Sequence, residues 1–302
     1  MPRLYKAIRR ILAHAVGDLF LVVQGAIARL PLPWIERVAL ALSLAAHPVI
    51  GRYRRAARIN LELVFGAGKS PAEKERIMAG FFLTCRQALS EYFLLVRHRA
   101  FPPEIEVRFE GEERLRAARA RGKGVILASA HYGNFFVLIS ELARRGYRVH
   151  PITRAPRNRL LYDFLRGLQA DLGIDPIPAK PRRECARQTL AALRANEIVV
   201  LLLDQHPRRS RVEVEFFGRP VAVYPGLEVL ARRTGAAVLP AFIASGSAHR
   251  HAIAVEPELS PEGAGPLALS EAFARRLESR ILADPVQWWW FHRRFARDLY
   301  SR

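Results

Sequence analysis

Acidic side chains are what this sequence has least of. Against 48 Lys and Arg it sets only 28 Asp and Glu, leaving a formal charge of +20 and an isoelectric point near 11.1. Such a field repels cationic partners and favours anionic ones: nucleic acid, phospholipid head groups or an acidic carrier protein. No zinc finger, helix-turn-helix or aromatic stacking motif accompanies the charge, which therefore supports only weak, salt-sensitive contact with nucleic acid and no specific recognition. Cysteine is nearly absent. Cys85 and Cys185 lie a hundred residues apart, neither in metal-ligand spacing, and no cleavable signal peptide precedes them. Two buried thiols in a reducing compartment are expected, which puts the body of the chain in the cytosol. Also missing is any run of 18 apolar residues free of charge. Internal repeats and low-complexity linkers are absent too, so the chain is read as one folded unit.

What the sequence does have begins with a basic, apolar N-terminal segment. Residues 1–60 hold 10 basic and 2 acidic side chains. Ile11–Leu32 is interrupted by His14, Asp18, Gln24 and Arg29, and Val38–Ile50 is too short to span a bilayer. Flanked by Lys6, Arg9, Arg10, Arg52, Arg54 and Arg55, both read as interfacial helices in the head-group region of an anionic leaflet, with one tilted span over Ile11–Leu32 as the rival. Residues 61–302 read as the folded domain. Ser70 and Pro71 open a helix in the N-cap and first positions, carrying Ile77, Phe81, Phe82 and Ala88 inward. From Ile105 onward, apolar runs alternate with amphipathic stretches. Strands are expected at Ile105–Phe109, Val125–Ala128, Arg148–Ile152, around Ile177, Ile198–Leu203, Val212–Phe217, Ala237–Ile243 and Ala252–Val255. The helices between them are Glu112–Arg121, one ending near Gly146, Asn158–Leu172, Arg183–Ala195, Gly226–Arg233 and Leu269–Leu282. This alternation predicts an α/β fold: a mixed, largely parallel sheet with helices on both faces.

In such sheets, ligands meet residues just past the carboxyl ends of strands. Two strand ends stand out: His131-Tyr132-Gly133-Asn134 after Val125–Ala128, and Asp204-Gln205-His206 after Ile198–Leu203. A histidine there titrates near neutrality and suits a general base, although a structural loop histidine is an ordinary alternative. Gly133 permits close approach, and Asn134 is a good N-cap.

Ala130-His131-Tyr132-Gly133-Asn134 resembles the catalytic block of the late acyltransferases of lipid A biosynthesis, a branch of the lysophospholipid acyltransferase superfamily. The likeness continues in Arg58-Ile59-Asn60-Leu61, Phe82, Ile152-Thr153-Arg154, Leu203-Asp204-Gln205 and Phe216-Phe217-Gly218-Arg219-Pro220. It runs on through Leu230–Ala236, Pro240-Ala241-Phe242, Pro285 and Gln287–Phe295. The resemblance implies a glycerolipid acyltransferase-like domain with N-terminal membrane association at the cytoplasmic face of the inner membrane. It implies acyl carrier protein, or less often coenzyme A, as acyl donor, a lipid hydroxyl as acceptor, His131 as base, and no metal or redox cofactor. Arg154 would hold a phosphate or polarise the thioester carbonyl, with a solvated basic loop including Arg157 and Arg159 as the rival. Asp204 and Gln205 would position His131 or the acceptor, unless they form a plain strand-end turn. Phe217 and Gly218 would shape the floor or acyl channel, unless they are core packing. Arg293 and Arg294, beside Trp288–Trp290, would form an interfacial anchor, unless the tryptophans pack inside. Arg208, Arg209 and Arg211 suggest a docking patch or a solvated face.

One departure matters. The family motif places Asp or Glu five positions after the histidine, and Phe136 occupies that position. A carboxylate elsewhere (Asp204 or Glu141), a backbone carbonyl orienting the ring, or a non-catalytic lipid-binding protein are the three readings the sequence leaves open. The acceptor is open too: a lipid A precursor, a lysophospholipid, an aminolipid or another glycolipid.

Overall fold

The computed structural model describes residues 17–46, 49–156, 158–207, 212–260 and 265–300. Residues 11–16 and Arg157, Arg208, Arg209 and Arg211 fall outside them, and with them part of the first interfacial helix and the suggested docking patch.

The N-terminal third is helical. Residues 17–28 form α1, ending ahead of Pro31, and α2 (Leu32–Ala46) follows. Then come α3 (Gly51–Phe65), not expected from the sequence as a helix of its own, and the 28-residue α4 (Pro71–His98). α4 opens as its sequence demands: Ser70 Oγ accepts from the Glu73 amide while the Glu73 carboxylate accepts from the Ser70 amide at 2.8 Å, satisfying two otherwise unpaired donors. Among the described residues, no helix is long and apolar enough to cross a membrane. Residue 60, where the sequence sets the end of the N-terminal segment, lies inside α3. Asn60 is fully buried and donates to the carbonyls of Trp290 and His292, both at 2.7 Å, while accepting from the Tyr300 hydroxyl.

Beyond α4 the expected alternation appears: β1 (Glu106–Glu110), α5 (Glu112–Ala120), β2 (Val125–Ser129), α6 (Phe135–Arg144), β3 (Val149–Thr153) and α7 (Arg159–Asp171). These lead to β4 (Ile177–Pro178), α8 (Arg182–Arg194), β5 (Ile198–Leu202) and a hairpin of β6 (Glu213–Phe216) and β7 (Arg219–Ala222). The chain closes with α9 (Gly226–Thr234), β8 (Ala237–Ser245), β9 (Arg250–Val255) and α10 (Ala268–Ala283). Seven strands make one sheet in the order β1-β9-β8-β2-β5-β3-β4. All neighbours are parallel except β8 and β9. The sheet is thus mixed and largely parallel, as the alternation requires.

β5 is apolar at every position and β2 at every position but Ser129, because both faces are covered. Ile126, Ala128, Val199 and Leu201 point into one layer with α3, α10 and the C-terminal aromatics. Val125, Leu127, Ile198 and Val200 point into the other, with α2, α5 and α6. One strand reading needs correction. The alternating stretch Val212–Phe217 does not join the main sheet: β6 pairs with β7 in a separate two-stranded hairpin. Phe217 (φ 50°) and Gly218 (φ 66°) form its turn, a backbone shape that an aromatic residue rarely signals.

Asn60 ties α3 to the chain's last aromatic block through three bonds in a dry layer. Asn60→Ala should cost about 1–3 kcal/mol by removing a donor to the Trp290 and His292 carbonyls and the acceptor of the Tyr300 hydroxyl proton; urea unfolding of the purified variant measures the loss.

Candidate active site

The topology inserts β5 between β2 and β3, and the register does the rest. Ser129 pairs with Leu202, so the residues two further along each strand, His131 and Asp204, leave the sheet side by side. His131 Nδ1 lies 2.7 Å from Asp204 Oδ1, and the His131 backbone amide donates to Oδ2 at 3.0 Å. The Trp288 indole donates to the same Oδ2 at 3.1 Å. The Asp204 side chain is wholly buried, whereas the His131 ring keeps 14% exposure. Burial pushes the Asp204 carboxyl up, but the His131 imidazole, His292 and the Trp288 indole hold it well below the usual carboxylate range. An ionised carboxylate only accepts, so the His131 Nδ1 carries the proton, and Nε2 is the nitrogen left to meet the Gln205 amide.

The C-terminal segment closes the other side. Tyr132 and Trp288 form an isolated antiparallel bridge; the Trp289 amide donates to the His131 carbonyl and the Gly133 amide to the Gln287 carbonyl, both at 2.8 Å. This alignment brings His292 edge-on to His131, with ring centroids 4.7 Å apart. Gln205 Nε2 lies 3.2 Å from His131 Nε2 and 3.3 Å from His292 Nε2, spanning the two rings. Burial, outweighing the nearby Asp204 and joined by His131, pushes the His292 imidazole down to about 4, so it is neutral at pH 7. The Phe135 ring meets His131 edge-on at 5.0 Å. Around the His131 ring thus stand the Gln205 amide, the His292 ring and the Phe135 ring. Among the described residues, no three His, Cys, Asp or Glu side chains gather closely enough to hold a metal.

Residues 6–297 match the model of the bacterial lipid A biosynthesis acyltransferases. The chain belongs to this family. It is 29% identical over 299 residues to the lipid A biosynthesis palmitoleoyltransferase of Escherichia coli, covering 93% of this chain and 89% of that protein. It is 28% identical over 208 residues to the phosphatidylinositol mannoside acyltransferase of Mycobacterium tuberculosis, covering 68% of this chain and 65% of that relative. The match thus spans about two thirds of the mycobacterial protein's length. A likeness to the crystal structure of the 1-acyl-sn-glycerophosphate acyltransferase of Thermotoga maritima is distant: TM-score 0.37 at 14% identity, covering 81% of this chain and 96% of that one.

Within this family member, the acid position of the motif is vacated in a definite way. Phe136 is 55% exposed and stacks on Phe135 with centroids 4.7 Å apart. Glu141 is no substitute, because its buried carboxylate is taken by Arg144 and Arg145 at 2.7 Å each. Asp204 is the carboxylate that meets the imidazole, at Nδ1.

Several residues expected at the substrate turn inward. Gly133 (φ 56°) is pressed against β8, where an added Cβ would sit 2.0 Å from the Ile243 carbonyl oxygen, so its freedom serves packing. Asn134 is buried: its Oδ1 accepts from the Phe136 amide as an N-cap, and its Nδ2 donates to Glu91 at 2.6 Å. Arg294 is 3% exposed, donates to the Ala222 carbonyl at 2.8 Å and lies against the Phe216 ring. Phe217 and Gly218 make the hairpin turn, and Phe216 is the ring that backs Trp288, at 5.8 Å. The tryptophan anchor is also corrected, since Trp288 and Trp290 are wholly buried. Arg154, past β3, and Arg293 remain exposed. His292, Phe135 and the Asp204 bond of Trp288 escaped sequence reading. For His292 and Trp288 the one signal was the Gln287–Phe295 block, whose tryptophans suggested a surface anchor; for Phe135 it was its place directly after Asn134.

Gly133→Ala combines a left-handed backbone with a backbone clash. It should destabilise the protein by more than about 1 kcal/mol, and a lowered melting temperature with a disturbed near-ultraviolet tryptophan spectrum is the expected readout.

Proposed function

We propose that this protein transfers a fatty acyl group from a carrier thioester to a hydroxyl of a membrane lipid, with His131 as general base. The observation that carries the reading is the 2.7 Å contact between His131 Nδ1 and the buried Asp204 carboxylate, with the His131 side chain itself still 14% exposed. Nε2 takes the proton of the acceptor hydroxyl as its oxygen bonds to the thioester carbonyl carbon. The tetrahedral oxyanion then collapses, the C–S bond breaks, and the proton on Nε2 passes to the departing thiolate. Asp204 fixes the tautomer and stabilises the transient imidazolium, the role a supporting carboxylate fills in other His-based sites. Gln205, between His131 and His292, is positioned to orient the reacting groups.

The donor is acyl carrier protein or coenzyme A, and the acceptor an anionic lipid: a lipid A precursor, a related glycolipid or a lysolipid. The charge of +20 supports both an acidic donor and an anionic lipid. We place the protein at the cytoplasmic face of the inner membrane. Supporting this are the exposed apolar residues Leu19, Val22 and Val23 on α1 and Trp34, Leu42 and Leu44 on α2, in a segment rich in arginine. Arg154 and Arg293, exposed and cationic, suit the phosphates of donor or acceptor. In this reading the N-terminal helices form the membrane-associating part, and the sheet with its helices the acyltransferase domain.

His131→Ala should lower acyl transfer from lauroyl-acyl carrier protein to a panel of glycolipid and lysolipid acceptors by about 10³-fold with the fold intact. Undiminished product would remove His131 as base. Asp204→Asn should lose roughly 10²–10⁴ in kcat. Phe136→Glu tests whether the motif acid is missed: with Nδ1 already engaged by Asp204, kcat should stay within about threefold of wild type or fall. A large gain would mean that Asp204 does not serve the base. Wild-type protein that binds vesicles and carrier but makes no product would favour the non-catalytic lipid-binding reading.

A further inference from the structure

Outside the site just described lies a second buried ionic cluster. Glu91, in the C-terminal half of α4, is wholly buried and has partners from two other parts of the chain, residue 134 and residues 249–251, besides its own helix. Its Oε1 is met by Gln87 Nε2 at 2.8 Å, His249 Nδ1 at 3.0 Å and His251 Nε2 at 2.9 Å, and its Oε2 by Asn134 Nδ2 at 2.6 Å. Four such contacts match the acceptor capacity of a carboxylate and exceed that of a single amide oxygen. Burial pushes the Glu91 carboxyl up, but hydrogen bonds from His249 and His251, the His251 charge and the Asn134 amide pull it down to about 2. His249 reaches on to Glu36 of α2 at 3.2 Å. The turn that delivers His249 holds two successive non-glycine residues in the left-handed region, Ala248 at φ 53° and His249 at φ 58°. Such backbone costs free energy and persists only where surrounding contacts compel it.

We propose that Glu91 is a positioning residue for His131, acting through Asn134, with His249 and His251 holding the carboxylate in place. The inference rests on the reading of His131 as the base. An asparagine amide has a donor end and an acceptor end. By taking the donor end, Glu91 turns the acceptor end toward the Phe136 amide at 3.2 Å, while the Asn134 backbone amide is held by Ser245 Oγ at 3.1 Å. The segment 131–134 is thereby fixed at both ends, by Asp204 at one and Glu91 at the other. Released at 134, the first turn of α6 would shift Phe135, the ring that flanks His131.

The pH dependence has a definite sign. The His249 imidazole is raised above its ordinary 6.5, first by its hydrogen bond to Glu91, against burial, and then by the charges of Glu91 and Glu36. Its contribution is therefore complete below the unfolded value and fades as pH rises through the higher folded one. The groups facing it are Glu91 on α4 and Glu36 on α2, with His251 of β9 on the far side of Glu91. Wild-type protein should lose thermal stability as pH rises above 6.5 through that interval, and Glu91→Gln should flatten the loss.

The test is a double-mutant cycle on the full-length protein with Glu91→Gln, Asn134→Ala and the pair. Two quantities are measured: turnover of lauroyl-coenzyme A or lauroyl-acyl carrier protein with a glycolipid acceptor, and carbethoxylation of His131 by diethyl pyrocarbonate read by mass spectrometry. Each single change should lower kcat about tenfold, leave donor KM within about twofold, and alter the His131 modification rate about threefold or more. The double variant should be no worse than the single ones, because both act on one linkage. Multiplying effects, or a lowered melting temperature with an unchanged His131 rate, would reduce Glu91 to a structural residue and overturn the proposal. Should Glu91→Gln not fold, Asn134→Asp keeps the helix cap but sets a carboxylate against Glu91. It should give the same loss, and unchanged kcat and modification rate would overturn the proposal. If wild-type protein turns over no acceptor, the acyltransferase reading fails by itself. The carbethoxylation cycle then decides the positioning role alone, coupling supporting it and additivity overturning it.

Discussion

A buried carboxylate needs donors, and the arrangement around Asp204 follows from that need. Placed at the end of a strand covered on both faces, Asp204 has no water to solvate it and meets three donors from two distant segments: the amide and ring of His131 and the indole of Trp288. Removing any of them would leave charge uncompensated in a dry layer. The imidazole that answers this demand keeps its far nitrogen free of the carboxylate, so the same constraint that satisfies the carboxylate also sets the tautomer of the proposed base. The C-terminal segment lies along residues 131–133 and supplies the indole together with His292.

The two ionic clusters share a design. Asp204 grips the start of the segment 131–134 and Glu91 its end, each from a different element and each fully buried. Exposed charge is treated differently: many of the surface arginines pair with single carboxylates in half-exposed bridges, such as Arg58 with Glu75. Pairs of that kind contribute little to stability. The ionic interactions that define the fold are the few whose partners come from distant parts of the sequence.

Most elements of the sheet could be read from the sequence, because strands buried on two faces are uninterrupted apolar runs and Ser70-Pro71 announces α4 without ambiguity. The histidine and aspartate at two strand ends were legible for the same reason. What periodicity cannot carry is spatial order. Nothing in Val125–Ala128 or Ile198–Leu203 states that these strands are neighbours with Ser129 opposite Leu202, and the pairing of His131 with Asp204 rests on that register. Phe217 misled because aromatic side chains seldom occupy a left-handed turn, and the hairpin partner holding Pro220 does not look like a strand. Arg294 and the tryptophans misled because composition suggests an interface, whereas their burial depends on a carbonyl at Ala222 and a carboxylate at Asp204.

The tie between Trp288 and Asp204 bridges 84 residues, and that between Asn60 and the His292 carbonyl bridges 232. Contacts of such separation form late, since the chain entropy of closing large loops is lost before they return anything. Until the tryptophan arrives, Asp204 retains its hydration shell, for dehydrating an ion without its full set of donors costs several kcal/mol, roughly half the net stability of a small domain. The final expulsion of solvent around Asp204 thus needs both the β2–β5 register and the docked C-terminal segment, and a chain lacking either leaves this carboxylate wet.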